Sequence, residues 1–550
     1  MCFINNTIKK SLLLAMGVCS LTLLLSACDQ GKQTDVPTVS PQTTPTNEIT
    51  TTPATSPAPE TAIPTGKSYT IRYVSSSSLG GYITGNTEQT VHKGEKTTVV
   101  TAVANEGYKF LYWSDGIKNP ERNGDTTSYD KELTAMFVLD VPEFSAPTIN
   151  IVTSDKEPVL SKEYTTAVIS VTDTKGGKHD GTFTTRIKGR GNSSWSSSAP
   201  QTSYDSKNSY RLKLDESQKF LGIGDSKNKD WVLNSCKFDA SLLRNYIGYE
   251  MGRMLTGIDY STECTWAHVY INGDYRGVYM VTEFIEVAKD RVDIDDKIED
   301  ADNGFLIELD MRGNSEGTLG VDYFYIDGYA EGISNPREWV IKSDFSLDPS
   351  TAVNQFEFIK NYMQKVHDAI ENGTREEIEA LIDIDSFVDM FICSEFSKDV
   401  DVNTASFYMY KPSGGKLHLT APWDYDFGFG TYGEGTSFSG LLTNTSSGNQ
   451  WFKALLTREW FVDLILKRMN DLKPEFQKFV DNVLGVGFSL TSVADSNAMK
   501  WDLYANKYHP YVSSDVSLFL EDYEDHLLFL NTWMTWRWDL IIIELELIEF

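Results

Sequence analysis

Two acidic segments in the second half of the 550-residue chain contain the residues best suited to chemistry. Asp401 lies in the first segment, and Asp424 and Asp426 lie in the second. Between them, Gly414-Gly415 predicts a turn, and residues 416–420 predict the returning strand of a β-hairpin. Because a hairpin brings its two ends back to one place, we expect Asp401 and Asp424 to face the same cleft.

Paired carboxylates of this kind support phosphoryl transfer. One carboxylate orients the attacking hydroxyl and accepts its proton, while the other holds a magnesium ion that neutralises nucleotide phosphates. In protein kinases an asparagine metal ligand follows the catalytic aspartate by five residues; this chain has Ser406 there, although Asp426-Phe427-Gly428 matches the kinase Asp-Phe-Gly tripeptide. A hydroxyl binds magnesium more weakly than an amide oxygen, which leaves room for low activity. Glycoside hydrolysis, with two carboxylates about 5 to 10 Å apart, is a further alternative.

The surrounding pattern predicts an α+β fold with two lobes. Short strands dominate from about residue 146 to 345, and helices dominate afterwards. Asp385 is expected to cap the helix that leads to Phe396. A strand-rich half followed by a helix-rich half indicates a cleft between two lobes. The predicted strands include residues 167–172, 210–214, 267–270, 277–283 and 304–309, and a predicted long helix covers residues 353–370.

A glycine-rich run at residues 186–195, RIKGRGNSSW, resembles the opening signature of the CotH kinase family of atypical spore-coat kinases. The similarity follows the family's order and implies a diverged, bilobed protein-kinase-like domain at 146–550, with a strand-rich N-lobe and a helix-rich C-lobe. It also implies the cofactors ATP and Mg²⁺ (or Mn²⁺), and transfer of the γ-phosphate to Ser or Thr of secreted or surface proteins. Further similar segments are 207–214, 230–233, 243–245, 277–283 and 422–430.

The resemblance assigns the chemical roles to the hairpin region. Asp401 takes the place of the family's catalytic aspartate, and Asp424 takes the place of its metal-binding aspartate. Asp426 is a second candidate for the metal because it belongs to the matching tripeptide, and Ser406 stands where many members have an asparagine ligand.

The nucleotide-binding roles fall in the strand-rich half. Arg190 and Asn192 belong to the glycine-rich loop, whose backbone N–H groups would lie near phosphates. Lys213 is the candidate phosphate-pairing lysine, and Glu283 is its possible acidic partner. Structural alternatives stay open, since Arg190 and Asn192 could pin a tight turn and Lys213 and Glu283 could be ordinary surface charges. Arg244-Asn245 is expected to brace a helix.

Residues 1–28 resemble a bacterial lipoprotein signal peptide. A positive start precedes an apolar run at 11–25 that is short for a membrane span, and Leu-Ser-Ala-Cys ends at Cys28, the expected lipidation site. Residues 29–67 are rich in Thr, Pro and Ser and contain no aromatic residue, which predicts a disordered linker. We therefore expect an extracytoplasmic protein that is lipid-anchored in the cell membrane, at the cell surface or in the periplasm.

Residues 68–140 predict a small all-β domain. Residues 104–116, ANEGYKFLYWSDG, and the closing strand at 134–137 resemble the InlB-type bacterial repeat. This resemblance implies a spacer or adhesive unit without catalysis. Trp113 is expected in the core of this domain rather than on a sugar-binding surface.

The net charge of −29 argues against nucleic acid as a partner, because binding phosphates requires a basic surface. The three cysteines after Cys28 cannot all pair and match no zinc motif, so we expect them to be buried apolar residues. A competing hypothesis is a catalytically weak pseudokinase that acts as a surface binding or scaffold lipoprotein. Its ligand would be a protein or a glycan, since the 27 Tyr and 12 Trp offer aromatic faces for sugars.

Overall fold

The structure is a computed structural model that describes residues 67–173, 177–195, 206–315, 317–330, 336–501, 503–504 and 520–550. The predicted signal peptide with Cys28, and the predicted linker except for Lys67, lie outside the described residues. The chain divides into two compact units, Met1–Val138 and Leu139–Phe550. Among the helices within the described ranges, none combines the length and the apolar character that crossing a membrane requires.

The first unit is built of strands. They are β1 (Ser68–Ser75), β2 (Gly81–Gly85), β3 (Glu88–His92), β4 (Val100–Ala104), β5 (Tyr108–Trp113), β6 (Glu121–Arg122) and β7 (Lys131–Leu139). The sheet orders are β3-β1-β7-β5 and β2-β4-β6. Trp113 is fully buried and packs edge-on against Tyr73 with 5.8 Å between the ring centroids, so its predicted place in the core is confirmed.

The second unit begins with a closed β-barrel, which forms the N-lobe. Its strands are β8 (Thr148–Thr153), β9 (Thr165–Thr172), β10 (Gly181–Arg190), β11 (Ser209–Gln218), β12 (Asn228–Asn234), β13 (Cys264–Ile271) and β14 (Asp274–Glu283). The strand order is β10-β11-β12-β14-β13-β8-β9. Alternate side chains such as Ile187, Leu212 and Trp231 fill the interior, and this leaves the basic residues of β10 and β11 on the outer face.

The C-lobe consists of a second sheet and most of the helices. Its strands are β15 (Phe305–Asp310), β16 (Tyr323–Phe324), β17 (Glu338–Ile341), β18 (Phe407–Lys411) and β19 (His418–Thr420), in the sheet order β16-β17-β15-β18-β19. The helices of the unit are α1 (Arg244–Met254), α2 (Pro349–Asn372), α3 (Arg375–Leu381), α4 (Ile384–Ser397), α5 (Gln450–Leu455), α6 (Glu459–Asp471), α7 (Lys473–Ser489), α8 (Thr491–Trp501) and α9 (Tyr523–Glu546). The predicted α+β fold, with strands preceding helices, is confirmed.

The predicted cap of α4 is wrong by two residues. Asp383 is the N-cap, and its side chain accepts a hydrogen bond from the Ser386 N–H at 2.9 Å. Asp385 lies inside the first turn and forms an ion pair with Arg468 at 2.6 Å. Both aspartates suit the start of a helix. Asp383 is the N-cap of α4 because its carboxylate reaches the backbone N–H three residues ahead.

The three described cysteines are free thiols. Cys236 and Cys393 are buried, as expected, whereas Cys264 is half-buried. Burial raises the pKa of the Cys264 thiol to about 12, which keeps it protonated and chemically inert.

A buried histidine lies in the first turn of α9. His526 is packed away from water, and neither ring nitrogen has a hydrogen-bond partner among the described residues. Burial lowers its pKa to about 3, and the nearby Arg244 charge acts in the same direction while Asp239 opposes it. The folded chain therefore holds this imidazole neutral.

We predict that acid destabilises the second unit through His526. The unfolded chain takes up the proton with the ordinary pKa of about 6.5, so the stabilisation is complete above that pH and is lost as pH falls towards 3. By pH 5 the loss should be about 2 kcal/mol. Urea unfolding of the wild type and His526→Phe at pH 7 and pH 5 measures it. An equal acid effect in both proteins would contradict the prediction.

Candidate active site

A cavity of about 580 Å³ lies between the outer face of the barrel and the C-lobe. Its barrel wall comes from β10, β11 and the loop after β10, and its other wall comes from β15, β18 and the segments beside them. Most of the residues predicted for the site line this cavity. They are Arg190, Asn192, Asp401, Ser406, Asp424 and Asp426.

The predicted hairpin is present and brings the two acidic segments together. Strands β18 and β19 pair antiparallel, with Tyr408 opposite Thr420. Asp401 lies in the short turn just before this hairpin, and Asp424 lies just after it. The Ser406 hydroxyl donates to Asp424 Oδ2 at 3.1 Å, so the position expected to assist the metal is in direct contact with the metal-binding candidate.

Backbone strain is concentrated around these side chains. A positive φ in a residue other than glycine is uncommon and costs of order 1 kcal/mol or more. Such strain persists where the surrounding structure fixes the backbone, often at functional sites. The strained residues of this region are Lys398 (φ 49°), Ser406 (57°), Ala421 (49°), Asp424 (65°) and Phe429 (52°).

Asn245 holds the segment that contains Asp424 and Asp426. From the start of α1, its amide donates to Asp426 Oδ1 at 2.5 Å and accepts from the Tyr425 N–H at 2.9 Å. The neighbouring Arg244 is buried and donates to Asp239 at 2.6 Å. The predicted bracing role of Arg244-Asn245 is therefore confirmed, and the element that is braced includes the site loop as well as the helix.

The carboxylates of the site are poorly compensated by positive charge. Burial and the charge of Asp424 raise the pKa of Asp401 to about 6. Burial, Asp424 and Asp239 raise the pKa of Asp426 to about 8, although the Asn245 hydrogen bond opposes the rise. Burial and the charge of Asp401 raise the pKa of Asp399 well above its usual range. Perturbation of this kind, in a cleft, is typical of functional sites.

The glycine-rich loop lies against the same cavity. Gly191 has a φ of 90°, which suits glycine, and the Trp195 N–H donates to the Asn192 carbonyl at 3.2 Å, so the loop is a tight turn. The Arg190 guanidinium lies 5.1 Å from the centroid of the Trp423 ring, next to Asp424 in sequence. The loop and the acidic segment therefore touch through this cation–π contact.

Lys213 and Glu283 do not form the expected pair. The Lys213 ammonium lies 3.5 Å from Asp230, and its side chain is 37% exposed. Glu283 is buried rather than exposed, lies 3.5 Å from Arg291 and accepts from the Glu263 N–H at 3.0 Å. Neither side chain lines the cavity.

Several charged residues of the cavity carried no prediction. Arg211 lies on the same face of β11 as Lys213 and lines the cavity. Strand alternation places both residues on that face but does not tell which of them reaches the cavity. Asp310 ends β15, and Arg312 lies just after it. From the sequence, these residues could be assigned only to the loop that follows a predicted strand. The charged lining residues without a predicted role are Lys162, Lys188, Arg211, Glu286, Glu308, Asp310, Arg312 and Lys342.

The chain has two lobes with a charged cavity between them, an arrangement that is compatible with a kinase-like protein. The family model described as CotH kinase protein matches residues 187–537, which is more than half of the chain, so the chain belongs to the CotH kinase family. The model for the divergent InlB B-repeat domain matches residues 70–140. A comparison with curated proteins gave no match. Among the described residues, no three His, Cys, Asp or Glu side chains are grouped to hold a metal ion by themselves.

We predict that Asn245→Ala destabilises the protein by about 2 kcal/mol or more, because it leaves a buried carboxylate and a buried N–H without their partner. Urea unfolding measures the change. Asn354→Ala, at an exposed position of α2, is the matched control and should shift the unfolding free energy little. Equal effects of the two substitutions would show that the site loop does not depend on Asn245.

Proposed function

We propose that this CotH-family protein is a protein kinase that transfers the γ-phosphate of ATP to Ser or Thr hydroxyls of secreted or surface proteins. The observation that carries the proposal is the convergence of Asp401, Asp424 and the glycine-rich loop on one cavity. A nucleotide in that cavity would meet mostly acidic side chains on the C-lobe wall and mostly basic side chains on the barrel wall.

The roles of the two aspartates follow from their surroundings. Asp401 is half-buried, and burial holds its pKa near 6, so it can accept a proton near neutral pH from an attacking hydroxyl. Asp424 keeps a left-handed backbone conformation, and its carboxylate accepts a hydrogen bond from the Ser406 hydroxyl, which positions it at the hairpin end. In this proposal Asp401 is the catalytic base and Asp424 the principal metal ligand.

The donor set is compatible with Mg²⁺ or Mn²⁺ bound together with a nucleotide. Magnesium in phosphoryl-transfer sites is commonly held by one or two carboxylates plus substrate phosphates and water, rather than by a complete protein cage. Asp424 would provide the first carboxylate, with Asp426 and Ser406 beside it. When bound, the ion would neutralise phosphate charge. Arg190 and Arg211 line the cavity with basic groups suited to the remaining phosphates.

The cellular setting is proposed from the sequence. Lipidation of Cys28 and the linker at 29–67 would tether both folded units to the cell membrane on its extracytoplasmic side. Substrates would then be proteins that share this compartment, and the net charge of −29 favours partners other than nucleic acid.

A second candidate function is a surface scaffold with a catalytically weak kinase fold. The observation that favours it is Ser406, because a hydroxyl is a weaker magnesium ligand than the asparagine amide that it replaces in the family's pattern. A protein or glycan ligand would then bind independently of ATP. Binding to cell-wall polysaccharide without any ATP-induced thermal shift would support this alternative.

We predict that purified protein labels itself or a Ser-rich peptide with γ-labelled ATP only when Mg²⁺ or Mn²⁺ is present. Asp401→Ala should abolish labelling but retain nucleotide binding, and Asp424→Ala should lose the metal-dependent part of that binding. Asp463→Ala, at an exposed position of α6, is the control and should behave as the wild type. Labelling that survives Asp424→Ala would exclude the proposed site.

We predict that Ser406→Asn increases activity at limiting Mg²⁺. The left-handed backbone at position 406, with a φ of 57°, suits asparagine better than most residues, and the amide oxygen is the stronger ligand. Activity measured against Mg²⁺ concentration should reach its half-maximum at a several-fold lower concentration than in the wild type. Ser406→Ala should shift the curve the other way, and an unchanged curve in both variants would remove Ser406 from the metal site.

A further inference from the structure

Arg312 is a basic residue of the cavity that the family pattern did not single out. It follows β15, the central strand of the C-lobe sheet, and its backbone N–H donates to Asp310 Oδ1 at 3.0 Å. Its side chain is 40% exposed, and Nε makes only a long contact, 3.4 Å, with the same oxygen. The residue is therefore held to Asp310 through its backbone N–H, while its guanidinium retains N–H donors for another group.

The glycine-rich loop meets this guanidinium across the cavity. The Asn192 side-chain amide lies between Lys162, whose Nζ is 3.3 Å from Oδ1, and Arg312. With the amide turned over, its oxygen accepts from Arg312 Nε at 2.9 Å and from Nη2 at 3.2 Å. Asn192 belongs to the N-lobe and Arg312 to the C-lobe, so the pair connects the two walls of the cavity.

Arg312 and the proposed base, Asp401, line the same cavity. Burial raises the pKa of Asp401, and the Arg312 charge is among the influences that oppose this rise. Arg312 thus contacts the loop expected to cover phosphates and shares the cavity with the carboxylate expected to receive the acceptor proton. A nucleotide whose phosphates lie under that loop would bring its γ-phosphoryl group into the cavity that these residues line.

Two other cations of the cavity, Arg211 and Lys342, are more tightly committed to carboxylates. Arg211 donates to Asp230 at 2.6 and 2.9 Å, and Lys342 pairs with Glu308 at 2.8 Å. The only carboxylate contact of the Arg312 guanidinium is the long one to Asp310, 3.4 Å, and its Nη1 has no hydrogen-bond partner within the part of the chain that the structure describes. A planar guanidinium with free donors matches the oxygens of a phosphoryl group.

We propose that Arg312 contacts the transferring phosphoryl group and stabilises the charge on its oxygens, and that Asn192 is the positioning residue that holds the guanidinium. The inference rests on the proposed kinase function. In the step, the acceptor hydroxyl oxygen forms a bond to the γ-phosphorus, the bond from that phosphorus to the β-phosphate oxygen breaks, and ADP leaves. The hydroxyl proton goes to Asp401.

The test compares kcat, the KM for ATP and the separate affinities for ATP and ADP in the presence of Mg²⁺. Arg312→Gln should lower kcat by about 10³-fold and weaken the binding of ATP, while the affinity for ADP stays unchanged. Arg312→Lys keeps a positive point charge and should recover part of kcat. Such recovery would show that the loss in Arg312→Gln is not caused by a folding defect. Asn192→Ala should lower kcat less than Arg312→Gln. Arg375→Gln is the matched control, on the exposed face of α3 where Arg375 pairs with Glu379.

The outcomes separate this inference from the function on which it rests. A kcat of Arg312→Gln equal to that of Arg375→Gln would overturn it while leaving the kinase assignment intact. Equal losses of ATP and ADP affinity without a loss of kcat would also overturn it, since Arg312 would then bind the other phosphates. A wild type that binds no nucleotide and transfers no phosphate would overturn both.

Discussion

The crowding of carboxylates at one end of the β18–β19 hairpin is the constraint around which the second unit is organised. Asp401, Asp424 and Asp426 repel one another where water is partly excluded, and the raised pKa values of Asp401 and Asp426 express that cost. An isolated hairpin would relieve it by moving the acidic segments apart. Here Asn245 and the Ser406 hydroxyl keep the second segment in place.

The stability that holds this arrangement comes from the elements behind it. Asn245 is the second residue of α1, and Arg244, which begins the helix, is fixed by the buried Asp239. In the C-lobe, the Glu395 carboxylate on α4 accepts from Arg537 of α9 at 2.9 Å, and the N–H groups of Leu442 and Thr443 donate to it at 2.7 Å. Fully bonded buried charges of this kind favour one backbone arrangement, because a displaced partner would remain buried and unpaired.

The barrel contributes the opposite charge. Alternation along β10 and β11 places apolar residues inside and basic residues outside, and Lys188 pairs in register with Arg211 on the outer face. That face forms one wall of the cavity. The chain as a whole has a net charge of −29, so a basic wall stands out. A basic wall opposite an acidic one suits a ligand that is itself anionic and carries a bound cation.

Local patterns predicted the features that depend on short stretches of chain. The hairpin, and with it the convergence of Asp401 and Asp424, follows from a turn and a strand that are adjacent in sequence. Whether Lys213 or Arg211 reaches the cavity depends on how far the barrel extends over the C-lobe, which alternation does not encode. The approach of Arg312 to Asn192 depends on packing between residues 120 positions apart in sequence, and no periodicity marks such a contact.

The most direct test of the central claim is crystallographic. Crystals grown with Mn²⁺ and a non-hydrolysable ATP analogue would locate the ion by its anomalous scattering. The account predicts a manganese peak within direct coordination distance of the Asp424 carboxylate, bridged to the nucleotide phosphates and facing Asp401. Nucleotide bound elsewhere, or a cavity that stays free of manganese at saturating concentrations, would contradict it.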